Sequence, residues 1–115
     1  MKRILEKIIV YEDIKEFVIL EKENIYTERI LSFFTTDIVV FKAKVKVEKI
    51  NNYLVVRLGN KLHLIDTTKH NIKLEGYDLV FYFRVKDGVI DKVSFSEDII
   101  TETIQEVNDL FMEYK

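Results

Sequence analysis

The stretch IVVFKAKVKVEK, residues 38–49, decides the fold because apolar and polar side chains alternate along it. Successive side chains of a β-strand point to opposite faces of a sheet, so the alternation predicts a half-buried strand. The apolar face carries Val39, Phe41, Ala43, Val45 and Val47. The other face begins with Ile38 and Val40 and continues with Lys42, Lys44, Lys46 and Glu48. We therefore expect the first face to line a core and the second to point outward.

Four further segments repeat this alternation and are separated by turn residues. The predicted strands are residues 53–58, 62–66, 79–86 and 89–95. Asn51-Asn52 separates the first two strands, and the polar stretch 67–71 follows the third. Asparagine, glycine and aspartate accept the backbone conformations that turns require. The centre of the chain therefore reads as five strands with one long connection.

Two hairpin loops follow from keeping the apolar residues on one face. A three-residue loop over residues 59–61 pairs Leu58 with Leu62 and keeps both on the inner face, whereas a two-residue turn breaks that continuity. Residues 86–88, with glycine last, predict a second three-residue loop. Asp91 falls on the predicted inner face of the last strand, against the pattern.

A meander of three strands, a long connection and a final hairpin form the strand order of an OB-fold. The sequence therefore predicts a mainly β protein, a five-stranded OB-fold-like Greek-key barrel with a C-terminal α-helix. By length the chain 1–115 is one domain, with an N-terminal extension (1–36), the barrel (37–95) and the helix (96–115). Within the extension, strands are predicted at 7–11 and 16–20 and a short helix at 26–34.

The C-terminal segment has the pattern of an amphipathic helix. Ser96 is the expected N-cap, and Glu97 and Asp98 suit the positive end of the helix dipole. A seam recurs at helical spacing and consists of Ile100, Ile104, Val107, Phe111 and Tyr114. Two interpretations stay open. The seam either covers the barrel or packs against helices of other subunits, which makes it a candidate subunit interface.

Composition excludes several kinds of site. The absence of cysteine excludes disulfides, thiolate metal sites and cysteine nucleophiles. The three glycines lie in predicted turns, so there is no phosphate-binding loop. His63, Asp66 and His70 are a weak candidate metal site, and surface positions are the favoured interpretation for both histidines. We therefore expect neither catalysis, nor a cofactor, nor a metal.

No targeting or membrane segment is recognisable. Residues 1–3 are followed by alternating charges rather than an apolar run, and no stretch reaches the roughly 20 apolar residues of a membrane span. We expect a cytoplasmic protein without membrane contact. Charge is unevenly distributed: residues 37–95 carry 11 Lys/Arg against 7 Asp/Glu, a net +4, and residues 96–115 carry 1 against 6, a net −5.

The predicted outer face of the barrel mixes cationic and aromatic side chains. It collects Lys42, Lys44, Lys46, Tyr53, Arg57, Lys61, Tyr82 and Arg84. Bases stack on aromatic rings while cations follow the phosphates, and this combination is typical of single-strand binding grooves. A solvated strand face, in which lysines protect a sheet edge from aggregation, is the alternative.

Two segments resemble a known family. Residues 90–114, IDKVSFSEDIITETIQEVNDLFMEY, resemble the end of the OB domain in the middle subunit of replication protein A, where a last strand leads through an acidic Glu-Asp step into a helix. Residues 26–41, YTERILSFFTTDIVVF, are similar to the short helix that precedes the first barrel strand in that family. The similarity extends to the smallest subunit and to related OB subunits of the telomere-capping complex.

The resemblance implies a single-stranded DNA-binding subunit that assembles through its C-terminal helix. DNA would lie on the barrel face, and the helix seam would join a homo- or hetero-oligomer. The alternative hypothesis is a structural assembly subunit that makes only protein contacts.

Overall fold

The computed structural model describes residues 8–10 and 25–113 and arranges them as strands followed by one helix. The strands are β1 (Ile8–Val10), β2 (Tyr26–Ser32), β3 (Ile38–Ile50), β4 (Tyr53–Leu58), β5 (Lys61–Asp66), β6 (Lys73–Glu75), β7 (Asp78–Lys86) and β8 (Val89–Ser94). The helix is α1 (Asp98–Glu113). The mainly β class with a C-terminal helix is confirmed.

Strand β3 organises the sheets because it is 13 residues long and pairs with three other strands. Its first part lies between β2 and β7, antiparallel to both, and its last four residues pair with β4. One strand therefore belongs to two sheets, and its outer face is continuous from one to the other. The alternation of residues 38–49 predicted this strand correctly.

The predicted strand connectivity is confirmed, but the predicted five-stranded barrel is wrong. Strands β3, β4 and β5 form the meander, and β7 and β8 form the final hairpin. Closure would require β8 to pair with β5, whereas the free edge of β5 is occupied by β1 in parallel, with Ile8 opposite Leu62. The sheet among the described residues therefore stays open.

Both hairpin loops are one residue shorter than predicted. Gly59, with φ of 61°, and Asn60 form a two-residue turn that pairs Leu58 with Lys61. The inner face of β5 is consequently filled by His63 and Ile65, which are completely buried. The prediction failed because it assumed that the leucines, rather than a histidine, point inward. Asp87-Gly88 is likewise a two-residue turn with both φ angles positive, as in type I′ hairpins.

The inner faces of the strands form the main apolar core. Its buried members are Ile25, Ala43, Val45, Val47, Leu54, Val56, Leu58, Ile65, Leu79, Phe81 and Phe83. Phe41 and Phe83 stack across β3 and β7 with ring centroids 5.0 Å apart. Burial of such side chains contributes about 1.5–3 kcal/mol each, which makes this face the dominant source of stability.

The N-terminal part departs from prediction in one element. Residues 26–34 were expected to form a helix, but β2 runs antiparallel to β3 there, with a bulge between Arg29 and Leu31. Pairing with the exposed edge of β3 and packing of Ile30 and Leu31 outweigh the weak helical pattern. Strand β1 confirms the predicted strand at 7–11, and the one predicted at 16–20 lies outside the described residues.

Helix α1 begins as predicted and packs on the outer face of β3 and β7. The Ser96 Oγ accepts the N–H of Asp98 at 3.2 Å, which confirms the cap. A second apolar cluster joins Ile99 of the helix to Val40, Val80 and Tyr82 of the sheet. No helix among the residues described is long and apolar enough to cross a membrane.

The predicted helix seam is divided between a buried and an exposed side. Val107 is buried and Ile100 is half-buried against the second apolar cluster. Ile104 and Phe111 are 40% and 48% exposed, and Tyr114 lies outside the described residues. The seam therefore serves in part to cover the sheet, and part of it stays available to a partner.

Candidate nucleic-acid interface

Seven of the eight predicted contact residues lie on the outer face of the sheets, but their surroundings differ. The expectation for Lys61 is wrong, because the two-residue turn places it opposite Leu58, on the inner face of β5. Two of the seven, Tyr82 and Arg84, are covered by α1 and only 3% and 2% exposed. The expectation that these two side chains face solvent is therefore wrong. The sequence pattern located the correct face of β7, but it did not reveal that the helix lies on it.

Arg84, itself buried, is the centre of a partly buried ionic cluster. Its Nε and Nη2 donate to the two carboxylate oxygens of Asp91 at 2.9 and 2.5 Å, and its Nη1 donates to Glu106 and, at 3.5 Å, to the Thr103 hydroxyl. Lys86 also contacts Glu106 at 3.2 Å. The guanidinium lowers the pKa of Asp91. Burial opposes ionisation of Glu106, but hydrogen bonds from Lys86 and Arg84 prevail and lower its pKa.

A bulge in β8 explains why Asp91 broke the sequence pattern. Arg84 pairs with Lys92 and Val85 pairs with Ile90, so Asp91 is the extra residue between them. An inserted residue reverses the side-chain alternation of a strand. The bulge therefore turns the carboxylate to the outer face, where it meets Arg84.

Tyr82 is held by Glu97, the residue that immediately precedes α1. Its hydroxyl donates to Glu97 Oε1 at 3.2 Å, and Lys73 Nζ lies at the same distance from that oxygen. Burial and the adjacent Glu97 carboxylate raise the pKa of Tyr82 to about 12. Lys73 and Tyr82 in turn lower the pKa of Glu97.

Lys42 and Lys44 are partly exposed and share one carboxylate. Their Nζ atoms lie 3.0 and 2.8 Å from the two oxygens of Glu75, on strand β6. The two ammonium groups lower the pKa of Glu75 to about 2, and Glu75 raises the pKa of Lys44. Much of the positive charge predicted for this face is therefore balanced by the protein's own carboxylates.

The remaining predicted residues surround or flank an open groove. A cavity of about 370 Å³ is lined by Lys46, Val47, Glu48, Val55, Arg57 and Tyr77. Arg57 Nε donates to Glu48 at 3.1 Å, but both side chains are 57% exposed. Tyr53, 41% exposed, and the exposed Lys61 lie on β4 and β5.

Tyr77 is a groove residue that the sequence pattern did not identify. It is 82% exposed, and its carbonyl accepts the N–H of Val47 at 2.9 Å, which fixes the turn against β3. An exposed aromatic ring in a glycine-containing turn is a recognisable feature of the sequence. The prediction missed it because the candidate contacts were drawn from the predicted strands and the loop over residues 59–61, and Tyr77 lies in neither.

The candidate metal residues are engaged separately. His63 is buried in the sheet, Asp66 accepts the amide and hydroxyl of Thr68 at 2.9 and 2.6 Å, and His70 lies 5.1 Å from the Phe95 ring. The prediction that both histidines lie on the surface is wrong for His63. Within the described ranges no three His, Asp or Glu side chains are grouped to hold a metal.

A second exposed surface lies at the end of α1. Phe34, Ile104, Phe111 and Met112 are 40% exposed or more. A cavity of about 380 Å³ lined by Thr35, Thr36, Leu110 and Phe111 joins the β2–β3 loop to the helix. Apolar side chains that remain exposed together often mark a protein contact.

Comparison with known proteins identifies no relative. No protein-family model matches the chain, and no curated protein or solved structure matches it with significance. The resemblance to replication protein A subunits therefore stays a prediction from the sequence pattern. Functional inference rests on the residues of this chain.

Proposed function

We propose that the chain is a single-stranded DNA-binding module whose contact surface is the open groove of β3 and β4. One observation carries the proposal: Lys46, Arg57 and the exposed ring of Tyr77 converge on one cavity. Cations that follow phosphates beside an aromatic platform for a base are the elements of non-specific single-strand binding. Tyr53 extends the surface along β4, and Lys42 and Lys44 continue it along β3.

The size of the groove suits a short contact rather than a long one. Stacking of one base contributes about 1–3 kcal/mol, and each phosphate contact adds a salt-dependent term. Glu48, paired with Arg57, must release the guanidinium to a phosphate. Because both partners are more than half exposed, that exchange costs little. We therefore expect moderate affinity with strong dependence on salt.

The test is fluorescence anisotropy with a labelled oligo-dT at two salt concentrations, on matched variants. Tyr77→Ala is compared with Phe34→Ala, because Phe34 is fully exposed between β2 and β3 and is outside the groove lining. Lys46→Ala is compared with Lys49→Ala, because Lys49 lies further along β3 on the opposite face. We expect about tenfold weaker binding for Tyr77→Ala, and a salt slope smaller by about 0.7 for Lys46→Ala. Equal effects in variant and control would refute the groove.

A second function is favoured by the exposed apolar surface of α1. We propose that Ile104, Phe111 and Met112 pack against a partner, which makes the chain an assembly subunit with protein contacts. Residues 98–113 contain five Asp/Glu and no Lys/Arg, so two copies of this helix would repel. A partner helix with basic flanks complements it better.

Light scattering tests the assembly role. Phe111→Ser should lower the mass of a complex recovered from cells that express the protein, whereas Tyr26→Ser should leave it unchanged. A protein that is monomeric and carries no bound partner before substitution would refute this role, and it would leave DNA binding unaffected.

A further inference from the structure

The groove continues beneath the helix. The outer face of β3 runs from Lys46 in the groove through Lys44 and Lys42, and Lys42 lies opposite Tyr82 of β7. Arg84 follows Tyr82 on that same face. The exposed and covered parts are therefore two halves of one surface. The open half is the part exposed to solvent and comprises Lys42, Lys44, Lys46 and the groove around Arg57 and Tyr77. The covered half comprises Lys73, Tyr82, Arg84 and Lys86.

Two carboxylates fasten α1 onto the covered half. Glu97 accepts Tyr82 and Lys73, and Glu106 accepts Arg84 and Lys86. Glu97 immediately precedes α1, and Glu106 lies nine positions further along the chain, which corresponds to about 13 Å at the rise of a helix. The anionic groups of α1 and of the residue before it thus occupy the partners that phosphates of a bound strand would use. Each carboxylate is met by a cation and a second donor, as a phosphate is in a binding site.

The two glutamates that fasten α1 are exposed enough for phosphates to replace them. The side chains of Glu97 and Lys73 are 60% and 56% exposed, and that of Glu106 is 32% exposed. The Lys73–Glu97 pair, in such a position, is weakened by salt and competes with other anions. Arg84 is only 3% exposed, but it keeps Asp91 as a partner when Glu106 is exchanged. The apolar part of the contact consists of the cluster around Ile99 and Val40 together with the buried Val107.

We propose that α1 is an intramolecular competitor that withholds the covered half, and that a single strand bound in the open half displaces it. Displacement exchanges two carboxylates for phosphates on the same four groups and exposes Tyr82 for stacking. The inference rests on the proposed DNA-binding function, because it assigns regulation to the same surface.

The experiment compares two double variants of the full chain. Glu97→Gln with Glu106→Gln weakens the fastening. Glu102→Gln with Asp109→Asn removes the same charge from the same helix, at exposed positions away from the sheet contacts. Oligo-dT binding of the first variant should be about tenfold tighter than that of the second, because a larger fraction of molecules is competent. Glu97→Gln alone should bind oligo-dT about threefold more tightly than the wild type, and it replaces the double variant in the experiment if that variant unfolds.

Hydrogen exchange of the backbone amides of α1 provides a second measurement, which does not depend on the net charge of the variants. In the wild type, oligo-dT should accelerate exchange of the backbone amides of residues 99–110, because the helix leaves the sheet. A ligand that binds the open half alone would leave those amides unchanged or better protected.

The outcomes separate the two proposals. The proposal that α1 competes with DNA would be overturned if the two double variants bind oligo-dT with equal affinity and hydrogen exchange of the helix is unchanged. If wild-type binding still depends on Tyr77, the proposed DNA-binding groove stands. Tighter binding by the Glu97/Glu106 variant together with faster helix exchange supports the competitor. Absence of binding by every variant overturns both.

Discussion

The ionic cluster around Arg84 allows a test of how burial changes the free-energy cost of removing a carboxylate from its arginine partner. The exposed pair of Arg57 and Glu48 provides the matched comparison. Asp91→Ala removes both hydrogen bonds from the Arg84 Nε and Nη2 atoms while the guanidinium stays buried, with its side chain 3% exposed. In the exposed pair, Glu48→Ala removes the partner of Arg57, which is 57% exposed and free to hydrate. The two substitutions remove the same chemical interaction in different environments.

The expected cost follows from what each arginine loses. Breaking a fully buried pair costs about 3–5 kcal/mol because an unpaired charge is left in the interior. Arg84 keeps Glu106 and Thr103, and the Asp91 carboxylate was already 31% exposed, so the cost should fall to about 2–3 kcal/mol. Glu48→Ala should cost less than about 1 kcal/mol.

Urea denaturation followed by circular dichroism measures both free energies of unfolding. The slope against urea should be unchanged, so that the shift in midpoint reports stability alone. Equal costs for the two variants, or a cost below about 1 kcal/mol for Asp91→Ala, would refute the view that α1 and the bulge bury a charge that depends on its partners.

Three further predictions concern the same face. Glu75, with its pKa lowered from 4.5 to about 2, contributes stability above pH 4.5 that is lost as the pH falls toward 2, so the denaturation midpoint of Glu75→Gln should fall less over that range than that of the wild type. Tyr82, with its pKa raised from 10.0 to about 12, contributes stability below pH 10 that is lost as the pH rises toward 12, and Tyr82→Phe should show a flatter alkaline loss in the same assay. Ile99→Ala should cost about 2–4 kcal/mol and Ile104→Ala less than about 1 kcal/mol, and similar values from urea titrations would contradict the orientation of α1.

The strands of the centre were predictable because alternation is a local property. The bounds predicted for β3, β4 and β7 agree with the structure within a residue or two, because apolar side chains recur at every second position of each strand. The loops were harder, because a one-residue difference is decided by which side chain fills the core. His63 took an inner position that its polarity argued against.

Features set by distant parts of the chain were not predictable. Strand β2 owes its conformation to the edge of β3, and the open sheet results from β1 on the edge of β5. The burial of Tyr82 and Arg84 depends on where α1 packs, and no periodicity within β7 encodes that. The candidate site was therefore located on the correct face for every residue except Lys61, but too many of its residues were assigned as accessible.

The membership of β3 in two sheets has a consequence for the order of folding. Its pairing with β4 crosses the two-residue turn after Ile50, whereas its pairing with β7 joins Ile38 to Lys86 and must close a long loop. Closing long loops before contacts form slows folding. We expect Phe83→Leu, in the β3–β7 ladder, to slow refolding, and Ile99→Ala to accelerate unfolding instead, as stopped-flow kinetics would report. The hairpin of β3 and β4 would then form early, and the pairing of β7 with β3 would set the overall rate of folding.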